Sequence, residues 1–286
     1  MTEGILYVVA TPIGNRDDLS PRARSVLAAV QVIASEDTRR TGRLLAHFGI
    51  KAQQIALHEH NEAAAGARLL ALLEDGQSVA LVSDAGTPLI SDPGYRLLHL
   101  AHERGVTVSP VPGPSALIAA LSVAGLATDR FCFEGFLPAK RAARQAQLKA
   151  LRGELRTLVF YEAVHRIRDA LVDMRDVLGA ERRAFIGREL SKLHEQCVAA
   201  SLQELVEKLD DASIPAKGEF VVVVAGAAQA TLTASLDVDA LLLKLAPLLP
   251  HKQAVDIVAA VSTARRNDLY RRLLALTGKS GGDEPA

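Results

Sequence analysis

The chain has 286 residues, 49% of them hydrophobic and 23% charged, and its 33 basic and 33 acidic side chains cancel. That length holds one large α/β unit or two ordinary domains, with enough apolar content for a sizeable core. No uninterrupted apolar run approaches the ~20 residues of a membrane span, the N-terminus lacks the basic head and apolar stretch of a signal peptide, and two lone cysteines, Cys132 and Cys197, give neither a disulfide framework nor a metal-ligand cluster. A reduced, soluble, cytoplasmic protein is expected.

Short apolar runs alternate with helical patterns through the first 130 residues. Strands are expected at 5–10, 32–35, 54–57, 79–82 and 106–110. Between them fall a helix capped by Ser20 with Pro21 in its first turn, and others over 41–47, 62–74, 94–104 and 114–124. This rhythm predicts a mostly parallel sheet with helices on its faces. Near Phe136 the texture changes: a basic helix over 141–152 precedes strands at 157–161, 184–189 and 219–224, with helices at 164–178 and 201–209. These read as a second α/β domain. An Ala/Thr-rich linker over 226–234 leads to a helical tail from Asp237 to Leu276. The expected division is therefore 1–136, 137–228 and 237–279.

Residues with chemistry gather after the strands. The first strand ends in Thr11-Pro12-Ile13-Gly14-Asn15, which lacks the Gly-x-Gly-x-x-Gly of a diphosphate cradle, so a cofactor without phosphates fits better. Leu81 to Gly94 reads LVSDAGTPLISDPG: a strand, then Asp84, then a Gly/Pro-rich loop opening a helix. Asp84 suits a cationic or hydroxylated ligand and Gly86 lets backbone approach it; alternatively, the aspartate caps a turn that the prolines stiffen. A second Gly/Pro turn, Val111 to Ala116, ends the fifth strand. Polar clusters follow four further strands: Glu36 to Arg40, His58 to Asn61, Tyr161 to Arg166 and Arg188 to Glu195. Strand carboxyl ends are where open sheets place their sites, although solvated loop charges alone would give similar clusters. His58 and His60 lack a third ligand, so no metal is expected. Charge is uneven: residues 139–192 carry 13 basic against 7 acidic side chains, and residues 244–279 carry 7 against 2. Those excesses suit a polyanionic partner or, equally, solvated helix faces.

With TPIGN, EDTR, LVSDAGTPLISDPG, VPGPSA, FEGFLP and YEA-x-HR in this order, the chain resembles the tetrapyrrole-methylase superfamily, and within it the ribosomal RNA small-subunit methyltransferase I family. The likeness runs closely over residues 4–224 and extends to the tail through His251-Lys252-Gln253-Ala254-Val255 and the run from Arg266 to Arg271. Val164 stands where a proline is expected, and Arg16 where an aliphatic residue is common. The resemblance implies two α/β domains with S-adenosylmethionine in the cleft between them, a small helical C-terminal domain, and a homodimer. It implies 2′-O-methylation of a cytidine ribose, position 1402, in 16S ribosomal RNA within the 30S subunit. Carried over, the cofactor meets Pro12, Ile13, Asp84, Ala85, Gly86, Thr87, Ser115, Ala116 and Tyr161.

The 2′-hydroxyl needs a base, for which Lys192 with a lowered pKa, Glu189, His165 and Asp37 are the candidates. Arg39, Arg40, Arg166 and Arg188 are expected to grip phosphates or bases, with the basic helix and the tail adding salt-sensitive attraction. Two rivals remain: a methyltransferase acting on a tetrapyrrole precursor, and a non-catalytic RNA-binding assembly factor.

Overall fold

The first helix begins where its cap dictates: the Ser20 side chain accepts from Ala23 N–H at 3.0 Å, and Pro21 occupies the first helical position. In this computed structural model, which describes residues 4–228, 238–262 and 264–277, that helix is α1 (Pro21–Ala29), between β1 (Ile5–Val9) and β2 (Val32–Ser35). There follow α2 (Thr38–His47), β3 (Gln53–Ala56), α3 (Glu62–Glu74), β4 (Val79–Val82), α4 (Tyr95–Glu103), β5 (Thr107–Val111) and α5 (Ala116–Val123). The five strands form a wholly parallel sheet in the order β3-β2-β4-β1-β5. The expected elements are present with ends moved by one to three residues. The largest change is at α2, which starts at Thr38 because Asp37 accepts from Arg39 N–H at 2.8 Å as its cap. The run after β2 is thus a cap and first turn rather than a loop.

Strand order fixes where a crevice must lie. From β1 and β2 the chain moves toward one edge, so α1 and α2 pack on one face with Leu27, Leu45, Ala80 and Val82. From β3 and β4 it returns, so α3 and α4 cover the other face with Leu69, Leu97, Val79 and Leu81. Alternate residues of β4 serve the two cores, as the two-residue period of a strand requires. The reversal opens beside the carboxyl end of β4, between the loops after β1 and β2.

The second sheet holds β6 (Phe131–Phe136), β7 (Thr157–Glu162), β8 (Arg183–Arg188), β9 (Gln196–Ser201) and β10 (Phe220–Val224), ordered β6-β7-β10-β8-β9. Only the β6–β7 pair is parallel. Helices α6 (Arg141–Leu151), α7 (Ile167–Leu178) and α8 (Leu202–Asp210) cover one face over Leu158, Phe160, Ile186 and Val222. The opposite face, through Val159, Phe185, Val221 and Val223, packs on α5 of the first half. Two strands were not expected, β6 and β9. The first lies within the segment assigned to residues 1–136, so the expected boundary is corrected: Phe131–Phe136 belongs to the second sheet.

Residues through Ala227 form one compact unit and those from Ala228 a second. In the second, α9 (Val238–Leu245), α10 (His251–Val261) and α11 (Arg266–Thr277) close around Leu242, Val255, Val258, Leu269 and Leu273. Most of the expected linker, the Asp237 start of the tail and its last residues to 279 lie outside the described residues. No helix among the described residues is long and apolar enough to cross a membrane.

Candidate active site

The loop after β1 and the loop after β4 are tied to each other. Thr11 N–H donates to Gly86 carbonyl at 2.9 Å, Gly86 N–H returns to Thr11 carbonyl at 3.0 Å, and the Thr11 hydroxyl donates to Ser83 carbonyl at 3.2 Å. Gly86 has φ +85°, and a Cβ there would lie 3.2 Å from Ile13 Cγ2, so any side chain would be strained and would press on Ile13. The β4 loop goes on through Leu89 and Ser91 at φ 74° and 70°. Non-glycine residues rarely adopt such angles, which concentrate where a loop is held for function. The Thr87 hydroxyl then donates to Pro114 carbonyl at 3.0 Å, joining the third loop to the other two.

Tyr161, on β7, closes the far wall. Its hydroxyl accepts from Leu117 N–H at 3.2 Å at the start of α5, and its ring meets Phe133 edge-on at 4.8 Å between centroids. Burial first, then the nearby charge of Asp92, pushes the phenol up.

Between these walls lies a cavity of about 500 Å³, in the size range of small-molecule sites. Ile13, Asp84, Ala85, Gly86, Thr87, Ser115, Ala116 and Tyr161 all line it; Pro12 does not. Glu36 and Asp92 line it too, and neither was among the expected site residues. Burial, followed by the charge of Asp84, raises the Glu36 pKa. Asp92 is pushed up to about 6, by burial first and then by Glu36 and Asp84, against a hydrogen bond from Ser83. Asp84 accepts from Asp37 N–H at 3.0 Å and pairs with Arg40 at 3.2 Å. Five carboxylates therefore line the space with Arg40: these three, and Glu162 and Glu219, which are paired with Arg166 and Lys192. The sequence signal for Asp92 was its place in the same loop as Asp84, eight residues on.

None of the four candidate bases lines the cavity. Lys192 sits in the turn after β8, its ammonium 2.9 Å from Glu189 and 2.8 Å from Glu219. Burial pulls its pKa down, but the hydrogen bonds to Glu219 and Glu189 outweigh that and the net shift is upward. The expectation of a lowered lysine pKa is corrected: carboxylates, not cations, surround it. Glu189 stays ionised below the usual range because Lys192 and Glu219 N–H overcome its burial. The Arg39 guanidinium and N–H hold Asp37 down at about 2. His165 is exposed in the turn after β7.

The four arginines divide. Arg39 and Arg40 are exposed, although paired with Asp37 and Asp84. Arg188 is buried and donates to the carbonyls of Lys217 at 2.7 Å and His194 at 3.0 Å. Arg166 pairs with the buried Glu162 at 2.9 Å and donates to Leu137 carbonyl. Those two arginines hold loops together and have little left for a phosphate.

Comparison with known proteins agrees with this architecture. The Tetrapyrrole (Corrin/Porphyrin) Methylases family matches residues 5–206, and the RsmI C-terminal HTH domain matches residues 233–277. The ribosomal RNA small subunit methyltransferase I of Pseudomonas aeruginosa is 51% identical, over 98% of this chain and 100% of that one. That of Escherichia coli O157:H7 is 48% identical over 97% of each. Among solved structures, the methyltransferase CobJ superposes with a TM-score of 0.59 at 19% identity, covering 79% of this chain and 95% of that one. The uroporphyrin-III C-methyl transferase from Thermus thermophilus complexed with S-adenyl homocysteine gives 0.56 at 18%, covering 78% and 97%. At such identities the structures share the fold, whereas the near-full-length sequence relatives fix the closer kinship. The chain belongs to the tetrapyrrole methylases and, within them, to the ribosomal RNA small subunit methyltransferase I family.

Proposed function

We propose that the chain methylates the ribose 2′-hydroxyl of a cytidine in 16S ribosomal RNA, with S-adenosylmethionine as donor. The observation that carries this reading is the acid-walled cavity at the strand-order reversal. Glu36, Asp84 and Asp92 would repel a diphosphate cofactor and attract a ligand bearing a sulfonium and an ammonium group. Gly86 and the Thr11–Gly86 bridge leave room and backbone polarity for an adenosine, and Tyr161 offers a ring wall. When bound, S-adenosylmethionine supplies an electrophilic methyl on a positive sulfur.

The chain's own residues then position the hydroxyl and manage its proton. Orientation supplies much of such a rate, and a placed base adds about 10²–10⁴-fold. Asp92 lines the cavity with its pKa pushed up to about 6, and this reading assigns it the hydroxyl proton. Lys192, Glu189 and Asp37, each held charged by partners, serve instead to fix the loops. Arg39 and Arg40 remain the expected arginines free enough to meet RNA.

The assembled 30S subunit as substrate, a homodimer and a cytoplasmic location complete the reading. Ile118 and Val123 stand 53% and 55% exposed on α5, apolar surface that a second copy would cover. Incubation of the protein and tritiated S-adenosylmethionine with 30S subunits lacking the modification, then digestion to nucleosides, is expected to place label in 2′-O-methylcytidine. Label in a base-methylated nucleoside, or label only when a tetrapyrrole precursor is supplied, would overturn it.

A further inference from the structure

A second cavity, of about 670 Å³, opens along the other side of the β1 loop. Its walls come from the turn after β1 (Arg16, Asp17), the first turns of α1 (Arg24) and the α2–β3 turn (Phe48, Lys51). Three cations face one carboxylate there. Yet residues 1–138 as a whole carry 11 basic and 14 acidic side chains. Among the described residues, neither Arg16, Arg24 nor Lys51 is ion-paired with a carboxylate. The two arginines have aromatic partners. The Arg24 guanidinium lies 5.5 Å from the Phe48 ring centroid, Arg16 Nη1 is 3.2 Å from His47 Nδ1, and the His47 and Phe48 rings meet edge-on at 4.9 Å. An exposed guanidinium over a ring, as Arg24 is over Phe48, with further cations beside it, is what an unstacked base and its phosphate bind.

We propose that this trough is a second RNA-contact site, holding a single-stranded phosphodiester segment with a base stacked on the Arg24 guanidinium. The inference rests on the rRNA-methylating reading above and adds to it a place for the strand. Necessity comes from the electrostatics of the cleft. A ribose must enter a space faced by Glu36, Asp84 and Asp92, while its phosphates are repelled from it, so cations must hold the backbone outside. Arg166 and Arg188 are spent on buried bonds. The trough begins at Arg16, three residues beyond the cavity-lining Ile13 on the same loop, and runs from there past Arg24 to Lys51 in the turn that enters β3.

The test uses the full chain and a fluorescein-labelled single-stranded oligouridine, titrated at several salt concentrations. The variant R16A/R24A/K51A is expected to bind about tenfold more weakly at 0.1 M salt, with the log–log salt slope reduced by about 2, because each lost single-strand phosphate contact removes ~0.7. Its affinity for S-adenosylmethionine, measured separately, should match the parent's. Should the triple variant fold poorly, Lys51→Glu at an exposed turn position gives the same direction of change without touching the Arg24–Phe48 contact. An unchanged slope and affinity overturn the trough while leaving methyl transfer to 30S subunits by the parent intact. Equal competition by polyglutamate overturns it too, since the site would then be a general polyanion patch. A parent chain that neither binds the oligonucleotide nor labels 30S subunits sinks both readings together.

Discussion

Asp92 is a residue whose two roles pull against each other. Burial and the charges of Glu36 and Asp84 raise its pKa to about 6, from 3.8 when free. Between those values the folded chain keeps a proton that the unfolded chain has released. The group's contribution to stability is therefore complete below pH 3.8 and is lost as pH rises through about 6. At neutral pH the ionised carboxylate costs stability, which a fold keeps only where the charge is used. Asp92→Asn should raise the thermal midpoint at pH 7.5 by about 2–4 °C, the shift that ~1 kcal/mol gives a chain of this size, and leave it unchanged at pH 4. The same variant should lower kcat by about 10²–10⁴-fold and abolish the acidic limb of the pH–rate profile. In the parent that limb should fall below about 6, because a bound sulfonium favours the carboxylate. Scanning calorimetry at the two pH values and single-turnover methyl transfer read the opposed changes. Stability and activity falling together would show a merely structural aspartate.

Among elements, α6 shows what charge counting cannot see. Its arginines read as part of a basic surface, and the chain does carry an excess of cations there. Arg144, however, is buried and donates to Asp173 of α7 at 2.7 Å; Arg141 at 3.0 Å and Gln145 at 2.8 Å donate to the same carboxylate. Those three hydrogen bonds overcome the burial of Asp173 and hold its pKa down. Asp173→Ala leaves a buried, unpaired guanidinium and should destabilise the chain by about 3–5 kcal/mol, read by urea unfolding. A cost below about 1 kcal/mol would mean that Arg144 swings out to water. The partner sits 29 residues along the chain, which is why the basic helix was legible and its neutralisation was not. The same distinction governs the sheets. Interior strands such as β4 and β10, buried along their whole length, announce themselves as Val/Leu runs. The unforeseen strands β6 and β9 are the two edges of the second sheet, partly exposed, with Glu134 and Gly135 in one and Gln196 in the other. The loops that line the cavity were legible as loops because Gly, Pro and Asp in fixed order leave few backbone paths. The state of Lys192 was not, because Glu219 approaches it from 27 residues along the chain, just before β10.

For the whole molecule, the division of labour follows from which residues each unit needs for its own core. Every residue lining the acid-walled cavity lies between Ile13 and Val221, inside the unit that ends at Ala227. The helical unit buries its own set, Leu242, Ala254, Val255, Val258, Leu269 and Leu273, around three short helices. Three of its arginines are paired, Arg266 with Asp256, Arg271 with Asp268 and Arg272 with Asp239, while Lys244, Lys252 and Arg265 add positive charge. A chain ending at Ala227 should thus bind S-adenosylmethionine within about threefold of the full protein, because its cavity and both of its sheets are complete. Its affinity for unmodified 30S subunits should fall and its salt slope should shrink, by ~0.7–0.9 for each phosphate contact the helical unit had made. Calorimetric titration of the cofactor and filter binding of subunits across a salt series separate the two effects. If the truncated chain loses the cofactor as well, the helical unit is a structural part of the cleft, and the two units cannot divide donor from substrate in the way their separate cores suggest.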